Sequence, residues 1–375
     1  MSQAAITGSG VYTPPDAITN AELVDAYTAY ADRQNQRNAA AIAQGTSEPC
    51  PETSTRKIQI ASGIRQRFVV DRAGVLDPDI MHPVLRERAD TEPGLMAEMA
   101  LKASADALRQ ADCAPEQLDA VICAASNHER PYPAIAIEIQ NLLGAHGFAF
   151  DMNVACSSAT FAIQVAADMI RCGTLDRALV VCPEICSAHL DWRDADSHFI
   201  FGDVCTAVVL ERADAARVDH FAIRSTHCVT RFSNNIRNNN GFLRRTRPGH
   251  MDDRRDMLFR QDGREVFRDV LPMVVDHIGQ HLDRETLPAD RISRLWLHQA
   301  NRTMNDYIGR KVLGRKPESS EQPNILQDYA NTSSAGAIVA FSHHSDDLGA
   351  GALGVICSFG AGYSVGSVLL ERRIM

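Results

Sequence analysis

The chain has 375 residues, 45% of them apolar and 23% charged, a balance that suits a folded globular protein with one large core or two fused ones and argues against disorder. Its formal net charge of -9 speaks against general nucleic-acid binding, so an acidic partner would need a local basic patch. No apolar run approaches the roughly 20 residues of a membrane span, and MSQAAITGSGVYTPP lacks the basic-then-apolar order of a secretory leader, so a cytoplasmic protein with ten reduced cysteines is expected.

In chain order, GSG at 8–10 follows an apolar run but precedes Tyr12, Thr13, Pro14 and Pro15, which cannot open the helix of a dinucleotide fingerprint. Residues 29–56 read as a polar insertion. A helical pattern from Met96 leads to a dense strand, AVIC at 120–123, that empties into a polar loop ending at Asn127. The run DMNVACSSAT, 151–160, turns an apolar strand directly into a helix with Ala159, Ala162, Val165, Ala166, Met169 and Ile170 at helical spacing and a stop at Gly173. Cys156 therefore sits at a helix N-terminus, where free N–H groups and the helix dipole favour a thiolate.

Further strands are ALVVC at 178–182, LWL at 295–297 and LGVIC at 353–357, each apolar enough to be covered on both faces. Cys182 and Cys186 have no second pair at zinc spacing, and His343 and His344 point to different helix faces, so no metal site is expected. Residues 228–260 form an Asn- and Arg-rich insertion. GAGYSVG at 360–366 leads into a strand and is no phosphate cradle.

Three pairs of segments echo one another at offsets of about 160 to 175 positions. CSSAT at 156–160 matches TSSAG at 332–336; the strand and loop ending at Asn127 matches the one ending at Asn301; TAVVLER at 206–212 matches GSVLLER at 366–372. A duplicated α/β unit follows, with halves 1–215 and 216–375 packed as one body. Equivalent loops would then bring Cys156, His298 and Asn331 together across a pseudo-twofold axis. Such a set offers a sulfur nucleophile, a proton-handling imidazole and an uncharged amide donor for developing negative charge, which suits thioester chemistry.

The chain resembles the beta-ketoacyl-acyl-carrier-protein synthase III group of the thiolase superfamily. The resemblance rests on VACSSATFAI around Cys156, FGD at 201–203, GREVFRD at 263–269, HQANRTMNDYIGRKVLG at 298–314, NTSSAG at 331–336 and SFGAGYSVGSVLL at 358–370. It implies a thiolase-like five-layer αβαβα fold, a homodimer and no cofactor beyond the thioester substrates, acyl-CoA and malonyl-acyl-carrier protein. Cys156 would take the primer acyl group, and His298 and Asn331 would promote decarboxylation of the malonyl thioester. Asn301 would orient them, and the backbone of Cys156 and of Gly360, Ala361 and Gly362 would hold the oxyanion. Tyr132 and Phe267 would bound the primer pocket, with Tyr132 entering that of the neighbouring subunit. Arg268, Arg302, Arg310 and Lys311 would meet the acidic carrier protein.

The resemblance departs at four places, one being that the tryptophan with which the family clamps the CoA adenine has no counterpart near SGIRQRF at 62–68. Ala361 replaces a glycine of the family's loop, and Ala61 and Ala195 stand where the family carries adenine-binding arginines, although Arg193 is close. Three rival readings remain. One is a condensing enzyme that joins acyl chains without decarboxylation, or makes a specialised metabolite, with Glu129 as a base. The others are a cysteine-dependent thioester hydrolase and an inactive acyl-binding subunit.

Overall fold

The computed structural model describes residues 3–246 and 254–375, so the middle of the second insertion, 247–253, lies outside the described residues. The first half opens with strand β1 (Ala4–Tyr12) and a short hairpin-like pair, β2 (Asp16–Thr19) and β3 (Gln66–Val69). Between the two lie helices α1 (Asn20–Arg37), α2 (Ala39–Ala43) and α3 (Thr55–Ser62), and α4 (Arg72–Leu76) and α5 (Leu95–Gln110) follow. The expected insertion at 29–56 is thus half helical: α1 runs unbroken from residue 20 because Thr19 and Glu22 form a reciprocal capping box at its start. Its buried Leu23, Tyr27 and Ala31 pack against Trp192 and Phe201 in a satellite core.

The sheet then adds β4 (Ala120–Ala124), helix α6 (Ile135–Leu143), β5 (Phe148–Met152), α7 (Ser158–Arg171), β6 (Arg177–Glu184) and β7 (Val204–Arg212). The second half supplies β8 (His220–Thr230), the small β9 (Ile236–Arg237) and β10 (Arg260–Gln261), α8 (Gly263–Arg284), β11 (Ile292–Leu297), α9 (Arg302–Leu313), α10 (Leu326–Tyr329), α11 (Gly336–His343), β12 (Leu353–Gly360) and β13 (Ser364–Arg373).

Nine strands join in the order β11-β12-β13-β8-β1-β7-β6-β4-β5. Read outward from the centre, β1-β7-β6-β4 and β8-β13-β12-β11 have the same pattern: antiparallel, antiparallel, parallel. The repeat extends to register, because Glu184 faces Val204 at the end of one hairpin and Gly360 faces Ser364 at the end of the other. The halves meet where Ala5 pairs with Ala222 and Ile6 with Phe221.

Burial defines five layers. One core packs α7 and α11 between the two halves of the sheet, including Ala162, Ala166, Ile338, Phe341 and Trp296. A second joins α5 and α6 to the outer face of the first half, and a third joins α8 and α9 to the outer face of the second. The first six residues of α11, GAIVAF, are apolar and buried on all sides because they are surrounded, while Ser342 and His343 end the helix toward the surface. The discounted GSG explains itself here: a β-carbon at Gly8 or Gly10 would fall 2.0 or 2.1 Å from a carbonyl oxygen of α5, so glycine lets this helix lie directly on β1.

Candidate active site

Between β5 and α7 the chain turns through Ala155 at φ 46°, a left-handed conformation that few residues with side chains adopt. The turn is braced from within, since the Val154 N–H donates to Ser158 Oγ at 2.9 Å and the Ser158 hydroxyl to the Ala155 carbonyl at 2.7 Å. Cys156 is thereby presented at the start of α7. Against it lies the end of β12, where a β-carbon on Gly360 would come within 2.6 Å of Cys156 Cβ and 2.9 Å of its sulfur. Glycine at 360 is what gives the thiol its room.

Burial pushes the Cys156 thiol up to about 11, with the Glu184 charge adding to the shift, while the Ser333 hydroxyl and the N–H groups of Ala361 and Cys156 pull it down. The helix start was expected to favour a thiolate; in the structure, desolvation outweighs that effect. Ala361 keeps its backbone donor on the sulfur, and Gly362 lies beyond, tied through its carbonyl to the Ser233 N–H.

His298 follows β11, anchored by its N–H on the Cys357 carbonyl at 2.8 Å, with its ring edge-on to Phe359 at 5.1 Å. Burial lowers its pKa to about 4, so the imidazole is neutral near pH 7; the Ser333 backbone acts in the opposite sense. Asn331 is placed by the FGD segment. Its N–H donates to the Ile200 carbonyl at 3.0 Å and its carbonyl accepts from Gly202 at 3.1 Å, forming a bridge beside Phe201. Asp203, fully buried, fixes that segment by accepting from the Val70 and Ser187 N–H groups and the Ser187 hydroxyl. The Asn331 Oδ1 accepts from the Ser333 N–H at 2.9 Å, which aims its Nδ2 donors elsewhere.

Cys156, His298 and Asn331 line one cavity of about 400 Å³, walled by Phe199, Phe201, Ile236, Phe259, Phe267 and Met304. That volume falls within the range of small-molecule sites, and the wall is apolar. Phe267 stands 41% exposed in the wall, whereas Tyr132 is 81% exposed and outside this cavity.

Asn301, expected to orient the catalytic pair, is in the lining. Its Oδ1 caps α9 through the Thr303 and Met304 N–H groups, and its Nδ2 donates to the Ala61 carbonyl at 2.7 Å. Glu129, the base of the rival reading, is likewise engaged in capping α5 at Leu95 and Met96. Arg268 is paired with Glu265 and Asp269, while Arg302, Arg310 and Lys311 project from α9 into solvent.

Two residues went unnoticed in the sequence. Ser333 lies inside NTSSAG and touches both Cys156 and Asn331. Glu184, a lone carboxylate ending the apolar ALVVCPE, is fully buried and accepts from the N–H and hydroxyl of Ser126 and of Ser334. A polar residue closing a buried strand was the available signal. Among the described residues, Cys123, His128 and Asp151 bring three ligand-type atoms within 4.8 Å of one another. Asp151 is already capping α6 with both oxygens, and burial holds the Cys123 thiol protonated, so this group reads as a helix cap beside a core thiol.

Residues 150–227 match the family model of 3-oxoacyl-[acyl-carrier-protein (ACP)] synthase III, and 282–372 match that of its C-terminal part. A protein of Pseudomonas aeruginosa named beta-ketodecanoyl-[acyl-carrier-protein] synthase is 51% identical over 351 residues, which cover 93% of this chain and 100% of that one. The chain belongs to the synthase III family. A synthase III of Allorhizobium ampelinum is 30% identical over 87% of this chain and 97% of its own. The crystal structure of synthase III from Pseudomonas aeruginosa PAO1 superposes with a TM-score of 0.76 at 24% identity, covering 100% of this chain and 99% of that one. The protein is thus a condensing acyltransferase of thiolase-like α/β fold.

Proposed function

We propose that this synthase III condenses an acyl primer, brought as acyl-CoA, with malonyl-acyl-carrier protein in fatty acid synthesis, and that the primer is of medium length. The observation that carries the reading is the convergence of Cys156, His298 and Asn331 on one apolar cavity. The Cys156 sulfur attacks the primer thioester, and the N–H groups of Cys156 and Ala361 take the oxyanion as the first thiol leaves. The malonyl thioester then enters, and His298, neutral, and Asn331 donate to its carbonyl oxygen. Carbon dioxide departs, the enolate carbon attacks the acyl-cysteine, and the Cys156 thiolate is released. No cofactor is required.

Carbon counting supports the primer length. A beta-ketodecanoyl product contains two carbons from malonyl and eight from its primer, and the relative so named is 51% identical. The cavity's aromatic wall suits an alkyl chain. The chain acts as two fused units, 1–215 supplying the nucleophile and 216–375 the histidine and asparagine. Arg302, Arg310 and Lys311 on α9 form the local basic face for the acidic carrier protein. Among the described residues strand β5 ends the sheet with an unpaired edge, and Phe148, Tyr132, Ile137 and Leu142 are exposed on or near it, which favours a homodimer formed there. A cytoplasmic location fits this chemistry, and no described helix is long and apolar enough to cross a membrane.

Intact-protein mass spectrometry after exposure to acyl-CoAs of rising length tests this reading. The expected adduct is an eight-carbon acyl group, lost in Cys156→Ala, whose discharge requires malonyl-carrier protein and releases carbon dioxide. An adduct discharged equally by water would make the protein a hydrolase instead.

A further inference from the structure

Ser333 reaches all three members of the site through its backbone and side chain. Its hydroxyl donates to Cys156 Sγ at 3.5 Å, its N–H donates to Asn331 Oδ1 at 2.9 Å, and its backbone bears on the His298 ring. The residue is 2% exposed, and its φ of 49° is one that a glycine would adopt freely and a serine adopts at a cost. A side chain is therefore held in a strained place, with its oxygen on the sulfur.

The electrostatics leave that oxygen a task. A cysteine nucleophile is often activated by a protonated histidine beside it, but His298 is neutral at pH 7 and offers no cation. Glu184, buried nearby, opposes a thiolate. Among the described residues, the groups that favour it are the Ser333 hydroxyl and the backbone N–H donors of Ala361 and Cys156.

We propose that Ser333 is a further catalytic group of the acylation step, its hydroxyl donating a hydrogen bond that stabilises the Cys156 thiolate as it attacks. This rests on Cys156 being the nucleophile proposed above. In the step, the thiol loses its proton, the sulfur bonds to the primer carbonyl carbon, and the carbon–sulfur bond of the incoming thioester breaks. The departing thiolate ends with the proton that Cys156 gave up, so one thiol is exchanged for another, and Ser333 keeps its own proton throughout.

The test is the pH dependence of Cys156 alkylation by iodoacetamide, read by mass at that residue, in the wild type, Ser333→Gly and Ser333→Ala. Glycine suits the backbone at 333 and removes the whole hydroxymethyl group, while alanine keeps the β-carbon and removes the hydroxyl alone, so the two variants together isolate the hydroxyl even if one folds poorly. Losing a hydrogen bond to a charged group should raise the ionisation midpoint by about one unit, roughly tenfold less thiolate at neutral pH, with the effect in the midpoint and not in the high-pH plateau. A change confined to packing would not move the midpoint. Variant midpoints equal to the wild type, in a protein whose Cys156 still accepts an acyl group, remove Ser333 from the step and leave the condensation reading intact. A wild-type Cys156 that takes neither iodoacetamide nor an acyl group overturns both.

Discussion

At the scale of single residues, the site divides its labour by charge state. On the proposed function, a buried imidazole held near 4 and an amide with no titration would supply neutral donors that persist across the neutral range, so the decarboxylating half-reaction would need no cationic side chain at pH 7. Asn331→Ala and His298→Ala are each expected to slow carbon dioxide release from malonyl-carrier protein by about 10²–10³, the usual cost of losing one donor to developing negative charge. The acyl adduct at Cys156 should still form in both, as mass spectrometry would show. Cys156, His298 and Asn331 were legible in the sequence because each occupies an equivalent loop of a repeated unit. Ser333 was not, because its importance lies in a left-handed backbone angle and a contact between the two halves, 177 positions apart.

At the scale of elements, strand ends do the positioning. The close of β12 brings Gly360 against Cys156, and the FGD segment before β7 fixes Asn331. Gly360→Ala would place a methyl group inside contact distance of the sulfur, so acylation should fall by far more than stability does. Measuring adduct formation beside the thermal midpoint separates the two; equal losses would mean that the glycine serves packing alone. The strands AVIC, ALVVC, LWL and LGVIC all appeared as read, since dense apolar runs between helices leave few alternatives. Helix α1 was hidden because its face is largely polar, although Thr19 and Glu22 carried a start signal that could have exposed it. The antiparallel contact of β1 with β8 was not legible, being a pairing between halves that no local pattern encodes.

At the scale of the molecule, buried histidines set the response to acid. His189, His198, His281 and His298 are held by burial at about 4 and His277 at about 3, against an ordinary value near 6.5. Between about 6.5 and 4 the unfolded chain binds protons that the folded one refuses, so stability falls as pH falls through that window. Asp203, raised by burial to about 6, works the other way and softens the loss. Paired carboxylates such as Glu22 and Glu321, held near 2, join only below their ordinary 4.5. The thermal midpoint should therefore begin to drop below pH 6.5, before the carboxylates titrate; a midpoint flat down to pH 4.5 would contradict the assignment of neutral buried imidazoles.

The matched registers of Glu184 and Gly360 have one more consequence. The repeat sets the end of one strand against the head of each inner helix, Gly360 of β12 beside Cys156 before α7 and Glu184 of β6 beside Ser334 before α11. In the second, a carboxylate and its serines act as a stopper, while in the first an absent side chain leaves a vacancy the size of a reacting sulfur. On the proposed function, the described residues are symmetric in architecture yet place one reacting thiol in the cavity, so each chain would carry one acyl group at a time.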